Sequence, residues 1–115
     1  MARRWFRGAA AAAAIGLVVG GSTVAWGAST VRMKDGAASS ENFFRPRTLR
    51  VERGTRVVWR NSGARPHTTT SNSGSWDSGT LQPGESFRRR FRKAGTFRYH
   101  CEIHSGMTGK IVVRA

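Results

Sequence analysis

From residue 28 onward, apolar and polar side chains alternate in short segments, and none of these segments shows a sustained helical repeat. Such alternation is typical of strands with one side in a core. Turn residues separate the segments, as at Asp35-Gly36 and Pro83-Gly84, which is the pattern of all-β sandwiches and barrels. We therefore predict a two-sheet β-sandwich of about seven to eight strands. Candidate core residues in these segments are Val31, Met33, Leu49, Val51, Val57, Val58, Trp59, Phe87, Phe91, Phe97, Tyr99, Cys101, Ile111 and Val113.

Two places in the middle of the chain depart from simple alternation. The segment 71–79 is rich in Ser, Gly and Asn, which predicts an exposed connection with Trp76 folded back. Arg89 falls on the same side of its strand as Phe87 and Phe91. Either its guanidinium extends to water at the end of the sandwich, or the strand carries a bulge.

The N-terminal segment has the layout of an export signal. Arg3, Arg4 and Arg7 precede an apolar run over 9–19, and small residues at Ala25 and Gly27 stand where a signal peptidase reads. We predict a signal peptide over residues 1–27 and a mature domain over 28–115, on the periplasmic or extracellular side of a bacterial membrane. The alternative is an uncleaved anchor, since 9–28 could just span a bilayer.

The chain is strongly basic. Its net charge is +14, and removing the three arginines of the N-terminal segment leaves +11. Such a surplus suits nucleic acid, anionic lipid or an acidic protein. Export argues against nucleic acid, and no stacking aromatics or known nucleic-acid module accompany the charge. We expect an acidic protein partner, no nucleic acid and no membrane contact beyond an N-terminal anchor. The dense run over 88–93 is interpreted as a solvated strand face.

The sequence around Cys101 is the strongest candidate site. Cys101, His104 and Met107 stand at intervals of three residues, and Pro66-His67 stands 34 residues before the cysteine. Thiolate, imidazole and thioether form a soft-to-borderline ligand set that selects copper over hard cations. Cys101 is the only cysteine, so in an exported chain its thiol pairs between chains, stays free or binds metal. Metal ligation is the simplest of these, because a free thiol is vulnerable to oxidation outside the cell.

Taken together, these motifs resemble the cupredoxins, and within them the small plastocyanin- and amicyanin-like blue copper proteins. The two-residue gap between His104 and Met107 is similar to the short, amicyanin-like form of the ligand loop. The resemblance implies a Greek-key β-sandwich that binds one copper ion. Its matching segments are 44–46, 57–61, 66–68, 76–79, 95–97 and 99–107.

The resemblance also implies roles for individual residues. His67, Cys101 and His104 would be strong copper ligands, and Met107 would be the weak axial ligand. The protein would be a monomeric one-electron carrier between redox partners and not an enzyme. The alternative is a copper-binding module for trafficking or storage at the cell envelope.

In the family, the electron usually passes through the exposed C-terminal histidine, here His104. Small or apolar neighbours would form the docking patch for an acidic redox partner, which Arg65 and other arginines would attract. The candidate patch residues are Ala64, Pro66, Ile103 and Gly106.

His100 adjoins Cys101, as does a histidine in copper nitrite reductases and multicopper oxidases that leads to a second copper site. The chain has three histidines, however, and two are already assigned, so no second multi-histidine site can be built within one chain. We predict that His100 is an exposed strand residue facing away from Cys101.

Two neighbours of the ligands are expected to tune the site. Plastocyanins usually have proline before the second histidine, whereas this chain has Ile103, which keeps its backbone N–H. We expect that N–H to donate to the Cys101 sulfur. Thr68, just after His67, is expected to tie the two ligand loops together.

Overall fold

The computed structural model describes residues 17–19, 22–24 and 28–115. Apart from one short 3-10 helix, Ser39–Glu41, its regular elements are strands. They are β1 Leu17–Val19, β2 Ser22–Val24, β3 Ala28–Lys34, β4 Phe43–Arg45, β5 Thr48–Glu52, β6 Thr55–Asn61, β7 Thr70–Ser71, β8 Ser86–Phe91, β9 Gly95–His100 and β10 Thr108–Arg114.

Eight of these strands form two four-stranded sheets, and β1 and β2 form a separate antiparallel pair. Sheet I has the order β4-β3-β6-β8, and sheet II has the order β5-β10-β9-β7. The β3–β6 and β5–β10 pairs are parallel, and the other pairs within these two sheets are antiparallel. The prediction of an all-β sandwich of seven to eight strands is confirmed.

The predicted alternation places the core between the two sheets. Burial along β6 runs buried, exposed, buried, half-buried, buried, exposed, buried from Thr55 to Asn61. Trp59 lies at the centre, with its ring centroid 5.5 Å from those of both Trp76 and Tyr99. These aromatic contacts fasten the connection after β7 and the strand before the ligand loop to the same core residue.

Residues 71–79 do not match the prediction at every position. Trp76 is buried, as expected, but Ser71 is also buried, because it pairs with Tyr99 in the ladder between β7 and β9. The exposed part of the connection begins at Asn72.

Of the two alternatives for Arg89, the structure excludes the bulge. Pairing between β6 and β8 is continuous from Thr55–Phe91 to Arg60–Ser86, so no bulge is present there. The Arg89 guanidinium carbon lies 5.3 Å from the ring centroid of Trp76, and Nη1 donates to the carbonyl of Ser75 at 3.3 Å. Arg89 therefore covers the end of the core with a cation–π contact.

The predicted signal peptide, residues 1–27, lies outside the described residues except for β1 and β2. Among the described residues, no helix has the length and apolar character needed to cross a bilayer.

Candidate metal centre

The predicted ligands meet at one end of the sandwich. His67 lies in the connection from β6 to β7, and Cys101, His104 and Met107 lie in the loop from β9 to β10. The candidate ligand atoms of His67, Cys101 and His104 are within 4.8 Å of one another, and Cys101 Sγ is 3.7 Å from His104 Nδ1. His67, Cys101 and Met107 are buried, whereas His104 is half-buried. The structure therefore brings the candidate ligand atoms of His67, Cys101 and His104 together in a single cluster, as the sequence predicted.

The ring of His67 is held in one orientation. Its Nε2 lies 2.9 Å from Asp35 Oδ1, so the N–H on this nitrogen donates to the carboxylate. Its Nδ1 is buried and has no hydrogen-bond partner among the described residues. A buried ring nitrogen without a partner is expensive, but it is what a metal-binding imidazole needs when its other nitrogen donates to a carboxylate.

Asp35 is itself fixed by the loop that leads to His67. Its Oδ2 accepts the N–H of Ala64 at 2.6 Å. A Cβ at Gly63 would collide with the carboxylate, so glycine leaves the room that Asp35 occupies. Burial raises the pKa of Asp35, but the hydrogen bonds from Ala64 and His67 outweigh this effect and lower it. The carboxylate is therefore held ionised beside His67.

Asp35 was absent from the predicted site. The sequence marks it only as a turn residue after the first strand of sheet I. The available signal was that β3 ends there, but its contact with His67 spans 32 residues and depends on how β3 pairs with β6.

Thr68 ties the two ligand loops together, as predicted. Its backbone N–H donates to Cys101 Sγ at 3.4 Å, and its Oγ1 accepts the N–H of Glu102 at 2.8 Å. The same hydroxyl lies 2.9 Å from Thr70 Oγ1. These contacts fix the sulfur relative to His67 without using either ligand nitrogen.

Backbone hydrogen bonds stiffen each loop further. The N–H of Cys101 donates to the carbonyl of Met107 at 2.9 Å, which closes the β9–β10 loop. On the other side, buried Asn61 donates to the carbonyls of Arg65 and Leu81, each at 2.8 Å. His67 and Leu81 exchange backbone hydrogen bonds at 3.1 and 2.7 Å.

The surroundings of Cys101 favour its thiolate. Burial raises the pKa of the thiol, but the contacts with His67 and with the backbone N–H groups of Thr68, Ile103 and His104 outweigh it and lower the pKa to about 6. The backbone N–H that donates to Cys101 Sγ with hydrogen-bond geometry is that of Thr68, at 3.4 Å, so donation from Ile103 stays a prediction. A thiolate is the form that binds metal.

Copper fits this cluster. One thiolate and two imidazoles, with a thioether as a weak fourth donor, are the ligands of trigonal type 1 copper sites. The sequence model of one protein family, the cupredoxin-like domain, matches residues 10–113 of the chain. The chain belongs to the cupredoxin family.

Individual relatives agree with this assignment. The chloroplastic plastocyanin of Tetradesmus obliquus is 33% identical over 116 residues, covering 90% of this chain and 80% of that protein. Amicyanin-alpha of Methylorubrum extorquens is 31% identical over 75 residues, covering 61% of this chain and 63% of that protein. This cupredoxin is similar to plastocyanins and amicyanins, which are electron carriers and not enzymes.

Solved structures give the same result. A purple cupredoxin from Nitrosopumilus maritimus superposes with a TM-score of 0.67 at 26% identity, covering 74% of this chain and 98% of that one. The Cu(I) form of an amicyanin variant superposes with a TM-score of 0.65 at 30% identity, covering 79% and 86%. As in amicyanin, the cluster of His67, Cys101, His104 and Met107 forms a type 1 copper site.

His100 lies outside this cluster, on the outer face of sheet II. Its ring lies between Asn72 Oδ1 at 2.6 Å and Glu102 Oε2 at 2.7 Å. Its side chain is 32% exposed, so the prediction of an exposed residue was too simple. The two oxygens hold the ring half-buried against the edge of β7.

Three of the four residues predicted to form the docking patch are exposed, and Pro66 is half-buried. Ile103 is 43% exposed, and Ala64 and Gly106 are also exposed. Arg65 is not a free surface cation, since its Nη1 donates to the carbonyl of Gly36 and to Asn42 Oδ1. Its guanidinium is used in holding the loop.

Proposed function

We propose that this cupredoxin is an exported, monomeric carrier of single electrons. His67, Cys101 and His104 would be its strong copper ligands, and Met107 its weak axial ligand. Copper bound by this ligand set alternates between Cu(I) and Cu(II) with little rearrangement. The observation that carries the proposal is the arrangement of His67, which is buried, fixed through Nε2 by Asp35, and left with an unpartnered Nδ1.

The protein's own residues would keep the ligand geometry constant during electron transfer. Thr68 couples the two ligand loops, and Asn61 and Leu81 hold the loop before His67. In metal sites generally, hydrogen bonds of this kind fix the orientation of the residues that bind the metal directly. A site built in this way resists the change in geometry that each oxidation state would otherwise favour.

Electrons would leave through the half-buried ring of His104. The small and apolar surface made by Ala64, Ile103 and Gly106 would allow a redox partner to approach closely. The surplus of arginines would attract an acidic partner, so the association rate should fall as salt is raised.

Export would follow from the predicted signal peptide over 1–27. The mass of the protein purified from the envelope of its own cells should correspond to a chain beginning at Ala28. A chain retaining the first 27 residues would instead support the uncleaved anchor.

Copper titration with two matched methionine variants tests the carrier proposal. The purified chain should develop an intense visible band with one equivalent of Cu(II), lose it on reduction and regain it on oxidation. Both Met33 and Met107 are buried, but only Met107→Leu should shift the band and the reduction potential. Met33→Leu should leave both unchanged. A colourless or redox-inert copper complex would contradict electron transfer and favour trafficking or storage.

A further inference from the structure

The outer face of sheet I has an unusual charge pattern. Seven basic side chains point outward from its four strands, and none of these strands contains an acidic residue. We call this surface the cationic face. Its members are Arg32, Lys34, Arg45, Arg56, Arg60, Arg88 and Arg90.

Strand register places like charges directly opposite one another on this face. Arg32 lies opposite Arg45 on one side and Arg60 on the other, so three arginines cross three strands in a row. Arg56 likewise lies opposite Arg90. Like charges in directly opposed positions destabilise a sheet, so the face works against the stability of the isolated chain.

The described residues do not neutralise this charge. Their three ion pairs, His67–Asp35, His100–Glu102 and Arg114–Glu52, all lie elsewhere. The hydrogen bonds of the face go to neutral oxygens: Arg60 donates to the carbonyl of Gly84 and Arg90 to that of Gly54.

The opposite surface shows that a basic composition alone does not produce this pattern. The outer face of sheet II is also basic, with Arg50, Arg98 and Lys110, but there Arg114 lies beside Glu52 in an ion pair. The fold therefore accepts acidic residues on an outer sheet surface, as on sheet II, but the strands of sheet I contain none.

In place of the expectation of no membrane contact beyond an N-terminal anchor, we propose that the cationic face binds the surface of an anionic lipid bilayer. The buried centre of an interface between proteins is more apolar than the rest of the surface, whereas the centre of this face is the arginine row through Arg32. Single-stranded nucleic acids are bound with stacking aromatics, and the one exposed aromatic ring here, Phe43, lies on the edge strand. A bilayer instead presents negative headgroups over a broad surface, which attracts clusters of Lys and Arg.

The position of the face in the chain supports this occupant. β3, the inner strand that carries Arg32, begins at Ala28, shortly after the apolar run over 9–19. The face therefore begins at the first residues of the predicted mature chain, next to the membrane crossed during export. The four metal ligands lie on loops at the end of the sandwich, so lipid binding would leave His104 free for a protein partner.

Flotation of the full chain with vesicles tests the proposal. We expect binding to vesicles of phosphatidylcholine and phosphatidylglycerol in equal amounts, falling as salt is raised. Vesicles of phosphatidylcholine alone measure the contribution of the N-terminal segment. The triple variant Arg32→Gln, Arg56→Gln, Arg88→Gln should reduce the anionic part of the binding on the order of 100-fold.

The matched control removes the same charge from sheet II. Arg50→Gln, Arg98→Gln and Lys110→Gln together should reduce binding much less than the cationic-face triple. Equal losses in the two triples, or equal binding of the wild type to both kinds of vesicle, would overturn the proposal. Tighter binding of the wild type to duplex DNA or to polyaspartate, lost in the cationic-face triple, would assign the face to nucleic acid or to an acidic protein instead.

Two further readouts separate misfolding and the carrier proposal from this one. Because like-charge repulsion is removed, the cationic-face triple should unfold at a temperature at least as high as the wild type. Its copper band should be unchanged, since none of the substituted residues contacts a ligand. If the wild type developed no copper band but still bound anionic vesicles, the carrier proposal would be contradicted and the lipid proposal would stand.

Discussion

The end of the sandwich that carries the two ligand loops, here called the metal end, and the cationic face differ in how their polar groups are paired. At the metal end, the buried ring of His67 is matched to Asp35, and the hydroxyl of Thr68 is matched to the N–H of Glu102. On the cationic face, Arg32 lies between two other arginines. Burial makes an unpaired polar group costly, whereas water and salt screen exposed charges. The unpartnered Nδ1 of His67 at the metal end and the exposed unpaired charges of the cationic face both indicate binding of something outside the chain.

The largest expected effect is the loss of the copper site at the metal end. His67→Gln removes a strong ligand, so the intense visible band should disappear on copper titration. His100→Gln is the matched control, because its ring is bonded to Asn72 and Glu102 and lies outside the ligand cluster. Loss of the band in both variants, or in neither, would contradict the assignment of His67.

Asp35→Asn should weaken the metal end without removing a ligand. A carboxylate that accepts from a ligating imidazole raises its basicity, and loss of such a partner typically costs about 10–100-fold in metal affinity. A more basic imidazole favours Cu(II), so the reduction potential should rise in the variant. Competition with a copper chelator measures the affinity, and voltammetry measures the potential.

Asp77→Asn is the control for that change. Asp77 accepts hydrogen bonds from Thr70 and the N–H of Gly79 and does not contact His67. An Asp35→Asn variant with unchanged affinity and potential would show that the carboxylate does not act through the imidazole.

Ile103→Pro should have a smaller effect on the same end. The substitution removes the N–H that we expect to donate to the Cys101 sulfur. One lost hydrogen bond of this kind corresponds to about 1 kcal/mol. Donation to the sulfur favours Cu(I), so the potential of the variant should fall, while Ile103→Ala keeps the N–H and should preserve it. An unchanged or higher potential in Ile103→Pro would refute the role of this N–H.

The smallest effect belongs to the cationic face. Arg32→Glu places an acid between Arg45 and Arg60, so each repulsive pair becomes attractive. Cross-strand charge pairs are worth roughly 0.2–1 kcal/mol, and the free energy of unfolding should rise by about that amount in a denaturant titration. Arg50→Glu is the control, since Arg50 lies opposite uncharged Val112. A rise of the same size in both variants would contradict repulsion across sheet I.

Local sequence pattern was enough for much of the fold and of the site. Alternation identified the inward face of β9, because each side of a strand faces one environment. The spacing of Cys101, His104 and Met107 identified the metal loop, since a short loop can present all three side chains together. Arg89 escaped the pattern because a guanidinium can lie over an aromatic ring while its charge remains close to water.

The sequence by itself determined the strand pattern, the excess of positive charge and the four candidate ligands, because these depend on residue type and short spacing. Only the tertiary structure decided that Asp35 orients His67 and that Arg32 lies between Arg45 and Arg60. Both facts depend on which strands are neighbours and in what register. Pairing between residues far apart in the chain is set by packing the whole core at once, and no local stretch of sequence contains that information.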